Sequence, residues 1–347
     1  MALKADLCSV MHAKMLPGKC LRFNHSGSRI FSNLSFRNKA PTSLPCFSLR
    51  NEKQHSKYNH KVLGMSARGA TKLNAAVIPL EAGETREIPS STYKTTVVSV
   101  ETLVGPKGGL GEICHIVLDH GGSFSFVEGQ YLEVHFQLIK RYFSIASCRD
   151  GDVFDGKTLS LCVRRGELFA DNVSNYLCNV KAGDVVEISG PLGKRMVFPE
   201  PQEGKHIMVA TATGIAPFRS NTQRLFLDPH VPPKHKFQGL AWLIDGADNY
   251  NSLLYNKEFT NILENNPDHF MYQRALNNNS VADLIYENGD EIFTLLDGGA
   301  YIYFAGSHTM MPGIRETFQK IADERGVDWP KKLTELIKNQ HWRVEVY

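Results

Sequence analysis

A chain of 347 residues, 42% hydrophobic and 22% charged, has the balance of a globular protein with room for two domains and a tail. It holds no run of eighteen apolar residues, no HExxH and no C-x-x-C among its seven cysteines, so neither a membrane-spanning helix nor a metal site is expected. The formal net charge of +3 is uneven: residues 1–65 carry eleven Lys or Arg against Asp6 and Glu52, a segment of +9 that leaves −6 for the rest.

That first segment also holds eight serines, from Ser9 to Ser56, and shows no steady apolar period. Basic, Ser-rich and acid-poor is the composition of an organelle transit peptide. A secretory signal needs a compact apolar core, which Lys4, Asp6 and Lys14 interrupt. A disordered basic arm is the other reading of the same charge. Residues 66–92 are small and polar and read as a linker.

From Tyr93 the pattern turns to short β-rich runs at 95–104, 112–119, 131–136, 141–147, 158–165 and 184–191, separated by Gly and Asp turns. Six such runs predict a small antiparallel barrel over 93–200. One helix interrupts them, with Asn172 as its cap and Val173, Tyr176, Leu177 and Val180 on one face. Over 204–347 strands at 206–211, 239–245, 270–276, 300–306 and 342–347 alternate with helices. One begins near Ala216 with Pro217 in its first turn, and another spans 311–325 with Gly326 as its stop. This alternation predicts a parallel α/β sheet with ligands at the carboxyl ends of its strands.

Four places carry candidate chemistry. In RYFSIAS (141–147), Arg141 suits a pyrophosphate, Phe143 an aromatic stack and Ser144 a hydrogen bond to a ring nitrogen. Asn172–Ser174 opens a helix whose first N–H groups suit phosphate. ATATGIAPFRS (210–220) is a strand, a small-residue turn and a helix, with Gly214 in the turn and Ala212 where another Gly is the natural choice. Tyr347 stands two places after Glu345, an aromatic ring with an acid nearby. Taken singly, each also fits an ordinary half-buried strand, a capped surface helix or a fraying end.

In this order, RxxSIAS, SLCVRR, a capped helix, TGIAPFRS and VEVY together resemble plant-type ferredoxin–NADP⁺ reductase, from about Tyr93 to Tyr347. The root type is closest, through DVFDGKTLSLCVRR (152–165), DEIFTLLDGG (290–299), MMPGI (310–314) and WRVEVY. The resemblance implies an FAD-binding β-barrel followed by an NADP-binding α/β domain in the plastid stroma, with an acidic iron–sulfur ferredoxin as partner and no nucleic acid. Arg141, Phe143 and Ser144 would line the flavin. Cys162, Val163, Arg164, Val173 and Ser174 would hold its ribityl, adenine and phosphate portions. Thr213, Gly214 and Pro217 would form the nicotinamide-nucleotide turn. Ser144, Glu345 and Tyr347 would be the catalytic residues, with Tyr347 on the isoalloxazine until the nicotinamide ring displaces it.

Departures from the family cluster in the nucleotide half. The family's 2′-phosphate clamp aligns with Asn277, Asn278, Asn279 and Ser280, followed by a shortened segment. Two lost charge-assisted hydrogen bonds amount to roughly 3–6 kcal/mol, which predicts a weakened preference for NADP(H) over NAD(H). Ala305 stands for the family's Cys, with Ser307, His308 and Thr309 beyond it. In the barrel, Phe143 replaces a Tyr and two loops are short, leaving Phe169 as a stand-in for an adenine-stacking Tyr. These changes keep open a second reading, a diverged, low-activity or inactive member that acts as a docking scaffold. Lys140, Arg141, Arg149, Lys157, Arg164, Arg165, Lys194 and Arg195 are the candidates for a ferredoxin footprint.

Overall fold

The computed structural model describes residues 91–347, apart from 167–171 and 200–202. The expected transit segment, nearly all of the linker and Phe169 lie outside the described residues. Six antiparallel strands come first: β1 (Thr92–Val104), β2 (Ile113–Asp119), β3 (Tyr131–Phe136), β4 (Ile139–Ser144), β5 (Thr158–Arg164) and β6 (Val185–Leu192). Their order is β4-β3-β6-β1-β2-β5, and a bridge from Ile145 to Leu161 joins the two edge strands into a barrel. The strand expected at 141–147 begins two residues earlier and ends three residues earlier, and Ile145 serves closure instead. Alternation explains the core: Ile116 and Leu118 of β2 and Leu159, Leu161 and Val163 of β5 are buried in one cluster. The helix α1 (Val173–Asn179) adds Val173 and Leu177 to that cluster. Its cap is as expected, with Asn172 Oδ1 accepting from Asn175 N at 2.7 Å.

The second sheet is parallel, ordered β11-β10-β7-β8-β9. Its strands are β7 (Lys205–Thr211), β8 (Leu240–Ala247), β9 (Phe270–Leu276), β10 (Tyr301–Gly306) and β11 (Trp342–Val346). Side chains of β7 alternate between two cores, with Ile207 and Val209 in one and Met208 and Ala210 in the other. The helices α2 (Ala216–Thr222) and α3 (Asn256–Asn265) contribute Phe218, Phe259 and Ile262 to the Met208 side. On the other side lie α4 (Val281–Glu287), α5 (Gly289–Asp297), α6 (Met311–Glu324) and α7 (Trp329–Lys338). In α6 the expected Ile314, Phe318, Ile321 and Ala322 are the buried face, and Gly326 follows with φ +66°.

Arg219 of α2 pins the second domain to the barrel. It donates to Asp152 Oδ1 at 2.7 Å, Ala146 O at 3.0 Å and Glu258 Oε2 at 2.8 Å. Asp152 also meets His115 Nε2 at 3.0 Å. Burial pushes the Asp152 carboxyl up, but the His115 hydrogen bond and the Arg219 charge outweigh it and hold the group well below the usual range. Such a network fixes orientation, because removing one member strands a buried charge.

Candidate active site

The strand order reverses between β7 and β10, whose carboxyl ends therefore flank a crevice. One row of the sheet runs Glu345, Ala305, Ala210, Asp245 across β11, β10, β7 and β8. Two acids thus bracket two small residues. Burial pushes both carboxyls up to about 7. For Glu345 this is against the Ser144 hydrogen bond and the Arg195 charge, and for Asp245 against the Tyr272 hydrogen bond and the Arg274 charge. Asp245 was not among the expected residues; an acid inside an apolar strand, AWLID, was its only signal.

The turn after β7 is a 3₁₀ segment, Ala212–Ile215. Its Ala212 has φ +49°, a left-handed conformation that favours glycine, so the expectation of a natural Gly here has a structural basis. A Cβ added at Gly214 would stand 2.2 Å from Ala305 O, so that position admits no side chain. Pro217 lies in the first turn of α2, and its carbonyl accepts from Ser220 Oγ at 2.8 Å.

Across the crevice, Ser144 Oγ donates to Glu345 Oε1 at 3.3 Å, joining β4 of the barrel to β11 of the second domain. Tyr347 is held on both sides. Its hydroxyl hydrogen-bonds Thr213 Oγ1, and its N–H donates to Gly306 O at 3.0 Å. Its main-chain oxygen accepts from His308 N and His308 Nδ1, both at 3.0 Å. The structure therefore brings Ser144, Thr213, Gly214, Glu345 and Tyr347 together, residues spread over two hundred positions of sequence. The sequence marks His308 only as a residue beyond Ala305, and its bond to Tyr347 carries no sequence signal.

The expected flavin residues lie along β4, β5 and the start of α1. Arg141 is half-buried, and among the described residues it has no ion-pair partner. Burial disfavours its charge, with Tyr347 offsetting part of that. A desolvated guanidinium of this kind suits an anionic group such as a pyrophosphate. Val173 and Ser174 occupy the first two positions of α1, where N–H groups have no partner within the helix. Phe143 is partly buried against the barrel core. On β5, Cys162 joins the apolar cluster of Ile215 and Ala216, and its thiol is pushed up to about 12 by burial, which makes it inert. Arg164 is exposed, while the Val163 side chain lies in the barrel core, which leaves only its main chain for a ligand. Together these groups fit FAD: a half-buried cation with no ion-pair partner among the described residues, main-chain donors at a helix start and an aromatic beside Ser144.

Elsewhere the basic candidates are largely committed. Lys140 pairs with Glu133 at 3.2 Å, Arg149 with Glu128 at 2.6 Å and Arg165 with Glu112 at 2.7 Å. Lys157 is exposed, and Arg195 donates to Val344 O at 3.2 Å. In the segment aligned with a 2′-phosphate clamp, Asn277 takes φ +60° to turn the chain and Asn278 is exposed. Ser280 caps α4 through a box with Asp283. Asp150, Asp228 and His230 cluster, but Arg224 bonds Asp228 and stands 3.7 Å from Asp150, which makes the cluster an ion-pair network. A cavity of about 360 Å³ lined by Phe198, His206, Asn221 and Phe237 lies by the amino end of β7, away from the crevice.

Residues 208–316 match the Oxidoreductase NAD-binding domain family. The chain is 44% identical to a protein of Oryza sativa subsp. japonica named ferredoxin–NADP reductase, root isozyme, chloroplastic, over 93% of this chain and 94% of the relative. It is 46% identical to the embryo isozyme of the same plant, over 84% and 86% of the two chains. It is also 44% identical to root isozyme 1 of Arabidopsis thaliana, over 82% and 84%. Among solved structures, ferredoxin–NADP⁺ reductase from Plasmodium falciparum with 2′P-AMP shares the fold. Its TM-score is 0.59 at 21% identity, over 74% of this chain and 96% of that one.

Proposed function

This chain belongs to the ferredoxin–NADP⁺ reductase family, and we propose that it moves electrons between NADPH and an acidic ferredoxin through FAD. It is an oxidoreductase of the plastid, and the stroma is the compartment proposed for it. The basic segment 1–65 is proposed as the transit peptide, in keeping with its composition.

The observation that carries this reading is the hydrogen bond between Ser144 and the buried Glu345, made across the two domains beside Tyr347. When bound, FAD supplies the exchange between single electrons and hydride. The residues of this chain do the rest. Arg141 and the start of α1 would hold the anionic part of the cofactor, and Phe143 would pack against its ring. Thr213, Gly214 and Pro217 would form the seat for the nicotinamide nucleotide, because Gly214 keeps the turn free of side chains. Ser144 and Glu345 would hold a proton at the ring nitrogen, since a carboxyl near 7 both gives and takes one at neutral pH.

The exposed Lys157 is the basic group proposed to meet ferredoxin, since ion pairs occupy Lys140, Arg149 and Arg165. The test is the visible spectrum of the purified protein together with NADPH-dependent reduction of a ferredoxin. A yellow protein that reduces ferredoxin is expected. A colourless protein without turnover would support the scaffold reading instead.

A further inference from the structure

The two turns that flank the crevice both hold Tyr347, and they do so from opposite sides. Thr213, in the turn after β7, meets its hydroxyl. His308, in the 3₁₀ turn after β10, meets its main-chain oxygen twice, through its own N–H and through Nδ1. That oxygen only accepts, so His308 is the donor in both bonds and its Nδ1 carries a proton. The turn is itself anchored: Ser307 N donates to Thr211 Oγ1 at 3.1 Å, and Ser307 Oγ accepts from Thr309 N at 3.3 Å. His308 therefore acts from a fixed point. Tyr347 is 41% exposed even so, a large aromatic ring kept at the surface by its polar bonds. Arg141, Cys162 and Arg164 are near enough to interact with it electrostatically, which puts the ring beside the expected flavin residues.

We propose that His308 is a positioning residue that holds Tyr347 across the crevice and so sets how readily a nicotinamide ring takes its place. The proposal deepens the reductase reading and rests on it. A ligand that enters where Tyr347 lies must first break the bonds that keep it there. Its apparent affinity is reduced by the fraction of molecules in the closed arrangement. Of the bonds holding Tyr347, the one from Nδ1 depends on the side chain at position 308, whereas those from His308 N and Tyr347 N belong to the main chain.

The experiment uses the whole chain with His308→Phe, which removes the side-chain donor, and His308→Asn, whose amide nitrogen stands close to the place of Nδ1. Hydrogen exchange of the segment 342–347 reports the hold on Tyr347 without reference to activity, and titration with NADP⁺ reports entry. His308→Phe is expected to speed exchange at the Tyr347 amide about fivefold and to tighten NADP⁺ binding by a similar factor, the worth of one net hydrogen bond. The maximal rate is not expected to rise, and His308→Asn should restore both quantities. Unchanged exchange in His308→Phe overturns the hold itself. Faster exchange with unchanged NADP⁺ affinity, or a failure of Asn to restore either quantity, overturns the link to nicotinamide entry. Faster exchange in a protein that binds no NADP⁺ in any form upholds the hold and removes the reductase reading beneath it.

Discussion

Ser144 and Glu345 meet at 3.3 Å although 201 residues separate them, and neither domain alone contains the pair. Because the hydroxyl donates, the bond favours the ionised carboxylate, yet burial prevails and keeps the group near 7. Ser144→Val should therefore leave flavin content nearly intact and slow flavin reduction by NADPH about a hundredfold. Absorbance of bound flavin and stopped-flow reduction separate the two quantities. Release of FAD with an unchanged rate per bound flavin would remove Ser144 from the chemistry.

Glu345 also makes stability depend on pH, with a definite sign. A carboxyl near 7 in the folded chain, against about 4.3 when unfolded, keeps its proton in the fold after the unfolded chain has lost it. Its contribution to stability is thus greatest at low pH and declines from about pH 4.3 to about 7, by on the order of 3 kcal/mol. Asp245 adds a decline of the same sign, since burial pushes it up to about 7 as well. Glu345→Gln cannot ionise, so urea unfolding of wild type and variant from pH 4.5 to 7.5 should show the shallower slope in the variant. Parallel slopes would place the Glu345 proton elsewhere.

Ala212 gives a test of backbone strain in the nucleotide turn. Its φ of +49° disfavours a Cβ, and Ala212→Gly should raise stability by about 0.5–1 kcal/mol. At Gly214 the opposite holds, because Gly214→Ala would drive a Cβ to 2.2 Å from Ala305 O and displace the turn. Thermal melts of the two variants should move in opposite directions. A lower melting temperature for Ala212→Gly would show that the turn is not strained.

How much of this was legible in sequence follows from the reach of each interaction. The strand β5 and the helix α6 were readable because period and stop signals are local, as in TLSLCVRR and in Ile314, Phe318 and Ile321 before Gly326. The gathering of Ser144, Gly214, Glu345 and Tyr347 came through resemblance, since no spacing relates a barrel strand to β11. What stayed hidden was pairing between distant elements. Arg149 with Glu128 and Arg165 with Glu112 look like free surface charge in one dimension. His308 looks like any loop histidine until β10 and β11 lie side by side. The need for glycine at position 212 was legible, because a tight turn after a strand demands positive φ whatever the rest of the fold does.

Nucleotide choice should follow the turn between β9 and α4. In that turn Asn277 takes the left-handed conformation, which asparagine tolerates, and Asn278 is exposed without bringing a charge. Ser280 N and Oγ both donate to Asp283 Oδ2 at 2.7 Å, and these bonds hold the Asp283 carboxyl below its usual range. The segment aligned with a 2′-phosphate clamp thus carries a fixed negative charge and no cation of its own. Discrimination is a difference of affinities, so lacking an attractive group and carrying a repulsive one act in the same direction. NADPH should keep little advantage over NADH. Asn278→Arg should raise the ratio of kcat/KM for NADPH over NADH by about tenfold, as one charge-assisted hydrogen bond in an exposed site would. Asp283→Asn should raise it less, because its repulsion is screened by solvent and salt. The measurement is dye reduction with each nucleotide by wild type and both variants at two ionic strengths. A wild-type preference for NADPH of several hundredfold would mean that a basic group outside 277–283 holds the phosphate, and neither substitution would then move the ratio.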